Sequence, residues 1–63
     1  MLERGIYGKV EVIDGKFKGK IGLYTEDVQA DGQQKALVYF MDMDGYKLIP
    51  YKKLSRIEDG KKN

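Results

Sequence analysis

The chain has 63 residues, a net charge of +2, no cysteine and no histidine, which bounds it to one small domain. A domain of this size buries only about 60% of its unfolded surface and is marginally stable, and it has neither thiols for a disulfide or zinc site nor an imidazole for acid–base work. No apolar run approaches the roughly 18 residues of a membrane-spanning helix, and residues 1–5 do not form the apolar core of a secretory signal, so a cytoplasmic setting without membrane contact is expected.

The charge is unevenly distributed. Residues 1–24 and 47–63 are net basic, whereas residues 25–46, with Glu26, Asp27, Asp31, Asp42 and Asp44 against Lys35, are net acidic. If the two ends meet in space, a basic face opposite an acidic one results. The alternative is a mixed, solvated surface.

Along the chain the periodicity is that of strands. Val10 and Val12 alternate with Lys9 and Glu11, as in a half-buried strand. Residues 14–19 then form a short loop bracketed by Gly15 and Gly19, which permit a sharp turn and positive φ. Lys16, Lys18 and Lys20 alternate through this stretch and are placed on one side of it. Phe17 lies between them and is expected at the exposed tip, where it can stack on a base or pack on a protein. A second strand leaves through Ile21 and Leu23, which are read as inward-facing. Gly22 sits inside that strand, where glycine is costly; a bulge, a strong bend or close packing against the backbone explains it. The acidic stretch 26–31 reads as a solvated loop.

Residues 36–41 form a continuous apolar run rich in β-formers, the pattern of a strand buried on much of both faces. Asp31 with Gly32, and Asp44 with Gly45, punctuate the chain on either side of it. Residues 46–49 give a fourth strand, which ends at Pro50 because proline has no N–H to donate. Residues 50–54 have room for one 3₁₀ turn, and residues 55–58 give a short fifth strand. Residues 59–63 have no apolar side chain and are read as a flexible tail.

Five short strands with a single helical turn before the last describe an all-β, SH3-like barrel spanning residues 1–58, which limits exposed strand edges. Its expected core is Val10, Val12, Ile21, Leu23, Val38, Phe40, Leu54 and Ile57, with Ala36 and either Ile49 or Leu48 filling in. In the third strand a shift of one residue exchanges Val38 and Phe40 for Leu37 and Tyr39.

The stretch 10–23, Val-Glu-Val-Ile-Asp-Gly-Lys-Phe-Lys-Gly-Lys-Ile-Gly-Leu, resembles the KOW motif. This is a strand-loop-strand unit of certain ribosomal proteins and of NusG-type elongation factors. Residues 48–57 are similar to the end of many SH3-like domains. Together the two regions cover under half of the chain. The resemblance implies contact with RNA, the ribosome or a transcription complex through the loops. KOW units usually come with further segments, which this chain does not show, so an accessory or phage-type role is an alternative. A cationic loop with close backbone approach also suits a phosphate backbone better than a small-molecule substrate.

The expected nucleic-acid-binding set is Lys16, Phe17, Lys18 and Lys20, extended by Lys52, Lys53 and Arg56. The competing reading is a protein-interaction module. It uses an aromatic patch drawn from the five tyrosines, with Tyr7, Tyr39 and Tyr51 as candidates. Asp42, Asp44 and Gly45 resemble the start of a calcium loop, but Lys53 stands where the twelfth-position glutamate belongs. No metal, cofactor or small-molecule substrate is expected. Ser55 has no base, and the carboxylates sit in turn-like or charged contexts, so no enzymatic activity is expected. A monomer is expected.

Overall fold

The computed structural model describes residues 2–57; the predicted tail 59–63 and Glu58 of the predicted last strand lie outside them. Five antiparallel strands form one sheet in the order β4-β3-β2-β1-β5. They are β1 (Gly8–Val12), β2 (Ile21–Ala30), β3 (Gln33–Phe40), β4 (Gly45–Ile49) and β5 (Leu54–Arg56). The all-β, five-stranded architecture is therefore the one the spacing predicts. Among the described residues no strand pairing joins β4 to β5, so the sheet is barrel-like without a closed ladder. The expected 3₁₀ turn is present at Tyr51–Lys53. A second one, Met41–Met43, occupies the corner between β3 and β4 and ends on Asp44 at φ 50°.

The predicted acidic loop is instead the arm of a long hairpin. β2 and β3 stay paired from Leu23 opposite Tyr39 to Ala30 opposite Gln33. Asp31 at φ 52° and Gly32 at φ 76° turn the chain; two positive φ values in a two-residue loop are what a type I′ hairpin requires.

Leu2, Val10, Val12, Tyr24, Ala36, Val38, Phe40, Ile49 and Leu54 build the core. β1 and β3 thus face as the alternation predicts, with Val38 and Phe40 inward. β2 is out by one residue. Ile21 and Leu23 are 53% and 48% exposed, and Gly22 and Tyr24 take the inner face. The cause is the close approach of β3. A Cβ on Gly22 would sit 2.6 Å from Val38 Cγ1 and 2.8 Å from the Tyr39 carbonyl oxygen. Only glycine fits there, so its neighbours must point outward. Ile57 is half-buried and lies outside the core cluster, and Leu48 is exposed while Ile49 is buried.

A bulge between Tyr24 and Glu26 resets the alternation of β2. The Thr25 hydroxyl donates to the Leu37 carbonyl oxygen at 3.2 Å. Beyond the bulge Asp27 lies opposite the buried Ala36. An extra residue in one strand lets two positions three apart share a face, so Asp27 joins Tyr24 on the inner side.

Candidate nucleic-acid interface

The loop from Asp14 to Gly19 is tied down by its own backbone. Gly19 N–H donates to the Val12 carbonyl at 2.8 Å and Val12 N–H to Lys20 at 2.9 Å, closing the neck. Lys18 N–H donates to Gly15 at 3.2 Å, and the Asp14 carboxylate accepts from Gly15 N–H at 2.8 Å. Gly15 and Gly19 adopt φ 86° and 93°, the conformations for which the sequence places glycine there.

Phe17 is not a free tip. It is half-buried, packs against the core and stacks on Phe40 with ring centroids 6.2 Å apart. In a chain this small, a ring placed beside an apolar opening gains more by covering it than by facing water. Two ammonium groups flank the ring: Lys16 Nζ at 5.8 Å and Lys47 Nζ at 5.9 Å from its centroid, within cation–π range. A third cation comes from the turn before β5. Lys53 reaches across the loop, so that a Cβ on Gly15 would lie 3.3 Å from its Nζ. The Lys53 carbonyl accepts from Ile13 N–H at 2.8 Å, which fixes this crossing. A hollow of about 160 Å³ lies between, lined by Lys16, Phe17 and Lys53, with Asp14 as its one carboxylate.

The predicted cationic set therefore divides. Lys16 and Lys53 converge, and Lys47, which the sequence reading omits, joins them. Lys18 and Lys52 are exposed nearby in sequence, Lys18 beside a wider hollow with Lys20 and Asp42. Lys20 is engaged: its Nζ lies 2.9 Å from Asp42 Oδ2, and this hydrogen bond holds the Asp42 carboxyl below the usual carboxylate range. Arg56, on β5, borders a separate hollow with Leu2, Glu3 and Ile6.

The tyrosines do not form the predicted patch. Tyr39 lies on the outer sheet face, its hydroxyl 3.2 Å from Asp44 Oδ1. Tyr7 and Tyr51 turn instead to Asp27, together with Tyr24. The Tyr7 hydroxyl donates to Oδ2 at 2.9 Å, and the Tyr24 and Tyr51 hydroxyls both donate to Oδ1. Gly5 N–H donates to the Tyr24 oxygen at 3.0 Å, which ties the N-terminal segment to the same group. The hydrogen bonds from Tyr24 and Tyr51 hold the Asp27 carboxyl below its ordinary range. Desolvation, then the bond to Asp27, pushes the Tyr24 and Tyr51 hydroxyls upward. For Tyr7 the bond to Asp27 comes first. The partners of Asp27 stand at positions 7, 24 and 51, and no local sequence signal connects them. Lys47 was legible in principle, because alternation in β4 sets it on the same side as the buried Ile49.

No family model matches the chain, and comparison with curated proteins and solved structures finds no match. Among the described residues no helix is long and apolar enough to cross a membrane.

Proposed function

We propose that the chain is a non-enzymatic binding module that contacts RNA, alone or within a ribonucleoprotein, through the phosphate backbone. The observation that carries this reading is the convergence of Lys16, Lys47 and Lys53, from the loop, β4 and the last turn, on one glycine-bracketed loop. Three ammonium groups held by separate elements make a fixed cationic surface, and such surfaces bind phosphates by counterion release. The KOW-like spacing of residues 10–23 supports the same partner and a cytoplasmic setting. Because Phe17 is committed to Phe40, recognition rests on charge and shape rather than on base stacking, and sequence preference is weak.

The experiment is RNA binding measured over a salt series, for wild type and for a variant combining Lys16→Ala, Lys47→Ala and Lys53→Ala. The variant is expected to keep the fold, bind more weakly and show a flatter salt dependence. Salt-insensitive wild-type binding, or equal binding by the variant, would make the loop a folding device only.

A further inference from the structure

The outer face of the sheet carries apolar side chains where solvated β-structure carries polar ones. An antiparallel sheet packed on one side ordinarily alternates, with polar residues facing water. Here Leu23 on β2 lies opposite Tyr39 on β3, and Tyr39 lies opposite Tyr46 on β4. The Tyr39 and Tyr46 rings pack at 5.1 Å. Ile21 and Met41 adjoin this row around a shallow hollow of about 300 Å³ floored by Gly22, with Lys9 of β1 at its edge, and Leu48, opposite Leu37, continues the row along β4. Met41 is 77% exposed and Tyr46 57%. The glycine that lets β3 approach β2 is thus also what turns Ile21 and Leu23 outward.

We propose that this face is covered by a second copy of the chain, stacked sheet on sheet. Three observations select that occupant. The exposed parts of Ile21, Leu23, Met41, Tyr46 and Leu48 come to on the order of 500–600 Å², the upper end of what a monomer carries. Two copies together therefore remove at most roughly 1,000 Å² from water, the lower limit for a specific interface and the size of a weak, concentration-dependent dimer, and homodimer contacts are the more apolar kind. The row also runs across β2, β3 and β4 on one continuous sheet face, so two such faces meet as in a β-sandwich. Its rim carries both signs, with Lys9 opposite Leu23 beside the hollow, Lys20 paired to Asp42, and Glu26 exposed. A contact that repeats one patch against itself needs a rim without single-sign repulsion. Association also stabilises a domain too small to be robust alone.

The test is the mass in solution across a dilution series, by sedimentation equilibrium, with the melting temperature recorded at each concentration. Wild type is expected to approach twice the chain mass of 7.2 kDa as concentration rises, with a melting temperature that rises alongside. Leu23→Glu and Met41→Glu are each expected to hold the chain at the single mass while leaving the circular-dichroism spectrum unchanged. Ile6→Glu, exposed but off the patch, should dimerise like wild type. Should Leu23→Glu fail to fold, Met41→Glu, in the 3₁₀ corner, decides alone. A single mass at every wild-type concentration overturns the proposal, as does a dimer that survives Met41→Glu.

Discussion

Gly22 and Val38 approach so closely that a single added carbon on Gly22 would stand 2.6 Å from Val38 Cγ1. The contact is between the central strand β2 and its neighbour β3, and the Tyr39 carbonyl closes the same space at 2.8 Å. A side chain could be rotated away; a backbone carbonyl in a paired strand cannot.

Gly22→Ala is therefore expected to destabilise the fold by overpacking, by about 1–3 kcal/mol. For a domain of this size that lowers the melting temperature by several degrees per kcal/mol. Gly19 offers the contrast. It has open space around it but sits at φ 93°, so Gly19→Val incurs backbone strain without a clash, on the order of 1–3 kcal/mol. Thermal melts of both variants check the pair. An unchanged melting temperature for Gly22→Ala would mean that β2 and β3 are farther apart than described.

Asp27 should make stability depend on acid. The folded chain holds its carboxyl below the ordinary range, chiefly through the Tyr24 and Tyr51 hydroxyls. Folding thus favours the ionised form. That contribution is complete above the unfolded value of about 4 and is lost as pH falls through the lower, folded value. Asp27→Asn is expected to melt lower than wild type at neutral pH, with the gap narrowing below about pH 4. Melting temperatures measured from pH 7 downward test this, and a gap that stays constant with pH counts against it.

The division among the lysines gives a sharper test than the combined variant. Lys53 lies over the loop, whereas Lys20 is neutralised by Asp42. Lys53→Ala is expected to lower the log–log salt slope of RNA binding by roughly 0.7–0.9, the value of one phosphate contact. Lys20→Ala should leave the slope nearly unchanged. The exposed Lys20–Asp42 pair contributes little to stability, and thermal melts of both variants check that neither effect comes through unfolding. Equal slopes for the two variants would show that the cluster around Phe17 is not the contact.

Much of the fold could be read in the chain because its strands carry strong alternation and its turns carry glycine and aspartate. Val10, Val12, Val38 and Phe40 declared the inner faces of β1 and β3, and Asp31 with Gly32 marked the turn, although the acidic residues before it hide the strand that leads into it. β2 misled for a physical reason. Its inner residue is a glycine, which carries no hydrophobic signal, and its outer residues, Ile21 and Leu23, carry the signal of a core. The site was half legible: the loop and Lys53 follow from local pattern. The burial of Phe17 depends on Phe40, and the Asp27 cluster depends on three residues far apart in sequence. Pairings of that kind are set by tertiary packing, to which a periodicity is blind.

The pairing of Val10 with Arg56 joins points near the two ends of the described chain, which has a kinetic meaning. The β2–β3 hairpin closes over two residues, at small entropic cost. β5 has only three residues and must wait for almost the whole chain to be drawn together before its contacts reward closure. The turn that precedes it delivers Tyr51 to Asp27 and Lys53 to the loop. Release of that one short strand and its turn would take Tyr51 from Asp27 and Lys53 from the loop together, so one element couples the two sites.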